Sequence, residues 1–335
     1  MKILITGAAG FIGSALAQRL VGAGHQVTAI DNFSDYYDVN LKKLRVKSLL
    51  EPVSLQVTNL DISTPNEVAI LIASIKPDVV INLAAQAGVR LGLSETYKYV
   101  ESNLIGFSNV LIATIENKVP FFLYASSSSV YGDKASIPYK ESETNLHPNS
   151  FYGATKLANE LLTPTLVRNS STAARGLRFF TVYGPWGRPD MAYFRMISNV
   201  VSESEFSFYG DGSIERDFTY IQDSVDSIIA LTDELESRKP GYSDLVNVGG
   251  GRPLSMNYLM ETVSSLANKK VSFKRVGGNL SDAVKTMSDS TYIQTLSGTK
   301  PNTKLEEGLA KTFEWATQSE ISINLDKWVN SVKYR

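Results

Sequence analysis

The chain has 335 residues, of which 43% are hydrophobic and 20% charged, and its formal net charge at pH 7 is −1. The length predicts a large core and two lobes, and the balanced charge without a long basic run argues against nucleic acid as a partner. The absence of cysteine excludes disulfides and thiolate chemistry and fits a cytoplasmic protein. We predict no metal site, because His25 and His147 are far apart, and no contact with a membrane, because no apolar run is long enough to cross one.

The first thirty residues have the pattern strand, glycine turn, helix, strand and acid. Residues 2–6 are an apolar run of strand length, and a G-x-x-G-x-x-G turn follows at residues 7–13. Apolar residues then recur every fourth position as far as Leu20, which is typical of one helix face. Residues 26–30 form a second apolar run, and Asp31 stands at its end.

This pattern predicts a dinucleotide site. Glycines let the backbone approach a pyrophosphate, whose charge is stabilised at the N-terminus of the following helix. Asp31 can accept hydrogen bonds from the adenosine ribose and would repel a 2′-phosphate, which favours NAD over NADP. A tight turn without a ligand is the alternative, because a glycine triplet alone is weak evidence.

Further apolar runs alternate with helical patterns along the first half of the chain. Strands are predicted over residues 53–57, 78–83, 120–125 and 176–180. This alternation predicts an α/β fold, a doubly wound parallel sheet with a smaller C-terminal α/β lobe. Ligands bind such sheets at the carboxyl ends of the strands, so residues that follow each strand are candidates for the site.

One of those strand ends is followed by candidate catalytic residues. Residues 126–129 are four serines, and Tyr152 and Lys156 lie four residues apart, hence on one face of a helix. To act as a base near neutral pH, a tyrosine has to lose roughly 3 units from its usual pKa near 10, and one cation about 4 Å away can supply that. Lys156 is such a cation, and a serine hydroxyl can relay the proton of a substrate alcohol. The alternative is an exposed helix face and a polar loop.

These motifs together resemble the extended short-chain dehydrogenase/reductase superfamily over nearly the whole chain. Within it, the chain is most similar to the nucleotide-sugar 4-epimerases that act on UDP-glucuronate. The segments that carry this resemblance are "TGAAGFIG", "DNFSDYYDVNLKKLR", "NLAAQAGVR", "SSSSVYG", "YGATK", "LRFFTVYGPWGRPDM", "FYGDGSIERDFTYIQD" and "NVGGG".

The resemblance implies an NAD-binding Rossmann-type domain over residues 1–180 and a UDP-sugar-binding lobe over residues 181–335, with an approximate boundary and segments that interleave. It implies a catalytic triad of Ser127, Tyr152 and Lys156. The residues assigned to NAD, besides Tyr152 and Lys156, are Gly7, Gly10, Phe11, Ile12, Gly13, Asp31, Asn32, Asp61, Ile62, Leu83, Ala84, Ala85, Gln86 and Asn103. The residues assigned to the UDP-sugar are Arg90, Ser127, Ser128, Ser129, Thr181, Arg188, Phe208, Tyr209, Arg216 and Arg275.

Ser128 and Ser129 bear on the reaction. Related dehydratases and decarboxylases carry acids at the corresponding places, so serines there favour simple epimerisation. A 4-keto glucuronate loses carbon dioxide easily, and a guanidinium fork such as Arg188 is suited to holding its carboxylate. The alternative for Arg188 is a surface arginine paired with Asp190. Epimerisation of a neutral UDP-sugar, such as UDP-glucose or UDP-N-acetylglucosamine, and a non-catalytic NAD-binding regulator are the competing functions.

Three features concern the second lobe and assembly. The resemblance makes Arg216 a ligand of the UDP diphosphate, although an ion pair with Asp217 is the alternative. Phe208 and Tyr209 match the segment that flanks the uracil, and Arg275 is the substitute for an arginine that the family carries later in the lobe. We also expect Pro164 to kink the helix that commonly forms the dimer interface in this superfamily, and a homodimer.

Overall fold

A seven-stranded, entirely parallel sheet organises the computed structural model, which describes residues 1–88, 95–204, 206–277 and 283–333. In sheet order, its strands are β10 (Ser243–Val248), β6 (Ala173–Phe179), β5 (Phe121–Ser127), β4 (Val79–Asn82), β1 (Lys2–Thr6), β2 (Gln26–Asp31) and β3 (Val57–Asn59). The predicted doubly wound parallel sheet is therefore confirmed. The carboxyl ends of these strands meet at one edge, as parallel connections require.

Some helices cover the two faces of the large sheet, and others pack on one another or on strands outside it. The helices are α1 (Phe11–Gly22), α2 (Val39–Arg45), α3 (Glu67–Ile75), α4 (Thr96–Tyr99), α5 (Phe107–Glu116), α6 (Phe151–Val167), α7 (Ala192–Ser202), α8 (Ile221–Leu235), α9 (Met256–Ala267), α10 (Thr291–Ser297), α11 (Leu305–Ala316), α12 (Ser319–Ser322) and α13 (Leu325–Asn330).

The two faces have separate cores because neighbouring residues of a strand point in opposite directions. Ile3 and Ile5 of β1 join the core beneath α1 and α8, whereas Leu4 joins the core formed with α3 and α5. All three side chains are at most 1% exposed. Strands that are buried on both faces explain why the sequence shows continuous apolar runs there rather than alternation.

Two small sheets lie beyond β6 in the chain. β7 (Thr181–Tyr183), β9 (Glu215–Tyr220) and β11 (Pro253–Ser255) form one, and β8 (Ser207–Tyr209) pairs with β12 (Lys274–Val276) in the other. Between these segments the chain returns to the large sheet through α8 and β10. Segments beyond residue 180 therefore contribute to both parts, and the predicted division into two domains stays a prediction.

The structure corrects one predicted strand. Residues 53–57 are not a strand: a 3₁₀ turn covers Glu51–Val53, Ser54 has a left-handed backbone, and β3 begins only at Val57. Pro164 lies inside α6, which continues without interruption to Val167. Within the described ranges, no helix combines the length and the hydropathy that crossing a bilayer requires.

Candidate active site

A cavity of about 510 Å³ opens where the strands of the large sheet end and the two small sheets begin. It brings together residues that are far apart in the sequence. The predicted cofactor residues on its wall are Gly7, Gly10, Phe11, Ile12, Gly13, Asp31, Asn32, Asp61, Ile62, Leu83, Ala84, Ala85, Gln86, Tyr152 and Lys156. The predicted substrate residues on its wall are Ser127, Ser128, Ser129, Thr181, Arg188, Phe208, Tyr209 and Arg216.

The glycine turn is packed too tightly for side chains. Gly7 has a φ of 72°, and a Cβ there would lie 2.7 Å from the backbone nitrogen of Ala84. A Cβ on Gly13 would lie 2.1 Å from the carbonyl oxygen of Gly7. The glycines thus bring β1, α1 and the end of β4 together, which is the close approach that glycine alone permits.

The N-terminus of α1 faces the cavity with its donors available. Gly10 is the N-cap, and no side chain of the described residues caps this helix. The first-turn N–H groups and the positive end of the helix dipole therefore suit an anionic group such as a pyrophosphate. The residues present fit the phosphates of a dinucleotide.

Asp31 occupies the end of β2 and is 6% exposed. Its carboxylate accepts hydrogen bonds from the backbone N–H groups of Ala9 at 3.0 Å and Phe33 at 2.7 Å. The ammonium of Lys42 lies 3.8 Å from the same carboxylate and donates to Ser34 Oγ at 2.9 Å. The acid that the sequence assigned to the ribose is therefore held rigidly and has a buried cation beside it.

Two further polar groups shape the cofactor side of the cavity. Asn32 Nδ2 donates to Asp61 Oδ2 at 2.8 Å, which joins the ends of β2 and β3. Asn103 is not one of the described residues on the cavity wall. Its amide instead accepts from Gln86 N–H at 2.8 Å and donates to Thr155 Oγ1 at 3.1 Å, so it supports the wall from behind.

The predicted triad comes from two elements. Ser127 ends β5, and Tyr152 and Lys156 lie in the first two turns of α6. The Lys156 ammonium donates to the carbonyl oxygen of Ala125 at 2.9 Å and lies 5.7 Å from the centre of the Tyr152 ring. The i,i+4 spacing therefore places both residues against the end of β5, as the sequence predicted.

The serines at the end of β5 are hydrogen-bonded to one another. Ser129 N–H donates to Ser127 Oγ at 3.1 Å, and the two hydroxyl oxygens are also 3.1 Å apart. Ser126 points the other way and donates to Glu160. Glu160 is 5% exposed and forms a two-point ion pair with Arg178 at 2.8 and 2.9 Å, so a buried charge network closes the site behind Lys156.

Burial is the largest influence on the pKa values of Tyr152 and Lys156. It raises the pKa of Tyr152, and the charge of Arg188 and the hydrogen bond with Ser127 oppose that rise. Burial also lowers the pKa of Lys156 to about 8, while Glu160 acts in the opposite direction. Arg188 is thus one cation that acts to lower the pKa of Tyr152. The same effect of Lys156, which the sequence pointed to, stays a prediction.

Arg188 forms a two-point ion pair inside the cavity wall. Its Nε donates to Asp190 Oδ1 at 3.0 Å and its Nη2 to Asp190 Oδ2. Burial acts to lower the pKa of Arg188, but Asp190 raises it above its usual value. The side chain of Arg188 is 25% exposed and lies on the cavity wall while it pairs with Asp190.

The far end of the cavity lies against the small sheets. Phe208 is 3% exposed and Tyr209 is 42% exposed on β8, and Arg216 on β9 donates to the carbonyl oxygen of Ala283 at 2.7 Å. Arg275 is not one of the described residues on the wall. Its guanidinium lies 5.9 Å from the centre of the Phe208 ring, and its substrate role stays a prediction.

The residues predicted from the sequence and the residues on the cavity wall do not coincide completely. Arg90 lies outside the described residues. So do Asn279, Ser281 and Asp282, which stand in this sequence near the place where the resemblance leads us to expect an arginine followed by a Gly-Asp pair. Conversely, sequence reasoning missed Tyr36 and Lys42 on the wall, and it treated Asp190 only as a surface partner. Both missed residues belong to the segment "DNFSDYYDVNLKKLR", whose polar positions carried a signal that we did not use.

The fold and the site define an α/β enzyme with a dinucleotide turn and a Ser-Tyr-Lys triad in one cavity. The chain belongs to the NAD dependent epimerase/dehydratase family, whose model matches residues 3–249. The predicted cofactor, NAD, and the predicted superfamily are thereby confirmed.

Individual relatives match nearly the whole chain. It is 35% identical to the probable UDP-glucuronate 4-epimerase of Rhizobium meliloti over 95% of this chain and 98% of that protein. The UDP-glucuronic acid 4-epimerase from Bacillus cereus, solved with UDP-glucuronic acid and NAD, superposes with a TM-score of 0.85 at 33% identity over 94% of this chain and 98% of that one. The UDP-glucose 4-epimerase from Thermotoga maritima, solved with UDP-glucose, superposes with a TM-score of 0.82 at 26% identity over 94% and 98%.

Proposed function

We propose that this protein is an NAD-dependent epimerase that inverts carbon 4 of UDP-glucuronate to give UDP-galacturonate. The observation that carries the proposal is the position of Arg188. It lies on the same cavity wall as Ser127. Its charge also acts on Tyr152, where it opposes the rise in pKa that burial causes. A guanidinium beside the reacting carbon is suited to a sugar with a carboxylate at carbon 5. Of the relatives named above, the Rhizobium meliloti protein is named a probable UDP-glucuronate 4-epimerase, and the Bacillus cereus enzyme is solved with UDP-glucuronic acid.

The glycine turn and Asp31 would hold NAD, which would supply a hydride acceptor for carbon 4 and, after rotation of the sugar, the hydride donor for its opposite face. Tyr152 removes the proton of the 4-hydroxyl and later gives it back, with Ser127 as hydrogen-bond partner of the same oxygen. Lys156 holds its ammonium against the end of β5, 2.9 Å from Ala125 O, where it favours the phenolate.

The keto intermediate has to be protected from loss of carbon dioxide. Ser128 and Ser129 place hydroxyls, not acids, beside the reacting atoms, so no side chain there favours elimination. Arg188 grips the carboxylate in two-point geometry, and Thr181 adds a hydroxyl from the neighbouring strand end. The sugar ring can then rotate about its link to the diphosphate, and after the rotation its carboxylate binds Arg188 again.

One observation favours a second candidate, the epimerisation of a neutral UDP-sugar such as UDP-glucose. The fork of Arg188 is already paired with Asp190, as it would be in an enzyme that never meets a substrate carboxylate. A UDP-glucose 4-epimerase is also among the structural relatives.

The two candidates are separated by incubating the purified protein with UDP-glucuronate and, separately, with UDP-glucose. The products are resolved by anion-exchange chromatography, with Tyr152→Phe as the inactive control. Formation of UDP-galacturonate at a kcat/KM at least tenfold above that for UDP-galactose formation supports the proposal. Turnover of UDP-glucose alone would replace it with the second candidate.

We further propose that the protein is a homodimer through α5 and α6. These neighbouring helices present apolar side chains that are 38–66% exposed: Ile105 just before α5, then Ile112, Leu161, Leu162 and Leu166. Replacing Leu161 with Glu places a charge in that face and should give monomers in sedimentation velocity, whereas Ile70→Glu on α3 should not. A wild-type monomer at micromolar concentration would contradict this.

The cytoplasmic location stays a prediction.

A further inference from the structure

Arg45, the last residue of α2, is fully buried, and in the described part of the chain no carboxylate binds it. Its partners are neutral. Nε and Nη2 donate to the carbonyl oxygens of Trp186 and Gly187, each at 2.8 Å. Nη1 donates to the Tyr37 hydroxyl at 2.7 Å and to the Ala9 carbonyl oxygen at 3.3 Å.

Two other arginines are as deeply buried, and both have acidic partners. Arg175 pairs with Asp244 at 2.8 Å, and Arg178 pairs with Glu160 at 2.8 Å. Burying a cation without a counter-ion is unfavourable, since carbonyl dipoles replace only part of the lost hydration. Arg45 therefore has no directly bound counter-ion among the described residues.

The two carbonyl groups at Nε and Nη2 belong to the residues directly before Arg188. Trp186 has a φ of 63°, a left-handed conformation that is unfavourable for a residue with a side chain. At Gly187 a Cβ would lie 1.6 Å from the Tyr193 hydroxyl, so this position has no room for a side chain. The fork of Arg45 holds two successive peptide groups of the turn and so sets the direction in which Arg188 leaves it.

The third carbonyl group, that of Ala9, belongs to the glycine turn at the N-terminus of α1. Arg45 is not one of the described residues on the cavity wall, so it acts on that turn from behind. Its charge and the uncapped N–H groups after Gly10 both favour an anion in front of the turn. A pyrophosphate bound there supplies the negative charge that Arg45 lacks.

We propose that Arg45 is a positioning residue that couples the glycine turn to Arg188. An anion at the turn stabilises the buried charge of Arg45, and Arg45 holds the Trp186 and Gly187 peptides that orient Arg188. NAD binding and the binding of an acidic sugar nucleotide then strengthen each other, because such coupling is reciprocal. This inference rests on the proposed function, in which Arg188 grips the substrate carboxylate.

The test compares Arg45→Met, which removes the charge and the fork, with Arg45→Lys, which keeps only the charge. Lys43→Met is the matched control, since Lys43 is an exposed lysine on the same helix. Two quantities are measured: the rate of NAD release by stopped-flow fluorescence, and the ratio of the Kd values for UDP-glucose and UDP-glucuronate by calorimetry, with and without NAD.

In the wild type and in Lys43→Met, we expect NAD to raise the preference for UDP-glucuronate about tenfold, within the usual range of coupling between sites. Arg45→Met should release NAD at least about tenfold faster and lose that rise. Arg45→Lys should keep most of its NAD and still lose most of the rise, because an ammonium cannot hold two carbonyl groups in the geometry of the fork.

Unchanged NAD release and an unchanged ratio in Arg45→Met would overturn the inference. So would near-ultraviolet circular dichroism showing that both Arg45 variants are unfolded, since Arg45 would then support the fold in general. A wild-type protein that never prefers UDP-glucuronate contradicts the proposed function instead. NAD release from Arg45→Met would then still decide whether Arg45 supports the glycine turn.

Discussion

Replacing Arg188 with alanine should have two effects, one on the pKa of Tyr152 and one on the binding of a substrate carboxylate. The two effects can be measured separately. The first concerns the phenol of Tyr152, whose pKa is raised by burial and lowered by the charge of Arg188. Without Arg188 that pKa rises further, so the acidic limb of the pH dependence of kcat/KM should move to higher pH. This effect is the same for an acidic and a neutral sugar.

The second effect concerns only the sugar with a carboxylate. A charge-assisted pair to a desolvated carboxylate is worth about 2–4 kcal/mol, or about thirty- to a thousandfold. In this structure Asp190 already occupies the fork, with Nε 3.0 Å from its Oδ1, so the substrate exchanges one carboxylate for another. We therefore expect the lower end of that range, an additional loss of about thirtyfold for UDP-glucuronate.

The assay is kcat/KM on UDP-glucuronate and UDP-glucose over the pH range, with chromatography of the products. Arg188→Lys should recover part of the loss, since it restores a point charge without the fork. A loosely held 4-keto acid should also lose carbon dioxide and leave traces of a UDP-pentose. Equal losses on the two sugars, with no UDP-pentose, would refute a carboxylate role for Arg188 and leave only its effect on Tyr152.

Three more predictions concern the triad and the cofactor. Tyr152→Phe should abolish turnover while calorimetry still detects UDP-sugar binding, and substantial remaining activity would contradict its role as the base. Lys156→Gln should abolish activity yet stabilise the protein at pH 7 by up to about 3 kcal/mol in urea unfolding, because the folded pKa of about 8 lies below the unfolded value of 10.5. For the same reason the unfolded chain binds the extra proton between those pH values, so the wild type should gain stability relative to the variant as pH rises from about 8 to 10.5. Wild-type protein should copurify with NAD. Asp31→Ala should weaken the binding of NAD more than that of NADP in fluorescence titrations, since Lys42, 3.8 Å away, would remain to attract a 2′-phosphate. Equal weakening would argue against Asp31 as the ribose ligand.

Much of this site could be predicted because its signals are local. The G-x-x-G-x-x-G turn, the helix that follows it and Asp31 at the end of β2 lie within thirty-one residues, and each depends on backbone geometry that the residue types themselves restrict. Tyr152 and Lys156 are one helical turn apart, so their common face follows from the period of the helix. Parallel topology then brings all strand ends to one edge, and the residues after those strands to one cavity.

Short segments without periodicity were predicted less well. Residues 53–57 have apolar residues at alternate positions, yet β3 is only Val57–Asn59, because packing against β2 decides which of these residues pair. Likewise, β10 follows three strands of the small sheets in the chain but pairs with β6 of the large sheet. Pairing over more than sixty residues depends on the whole fold, and no local pattern records it.

The partners of charged side chains were decided by the tertiary structure alone. From the sequence, Arg188 could pair with Asp190 or bind a substrate carboxylate; in the fold it pairs with Asp190 at the cavity wall and also acts on Tyr152, which lies thirty-six residues earlier. Arg45 reads as one more basic residue of an amphipathic helix, but the fold buries it completely against two turns. The sequence determines which elements form and which strand ends carry polar groups. Burial and charge pairing depend on distances between remote segments, so only the packed structure decides how those groups titrate and which of them face a ligand.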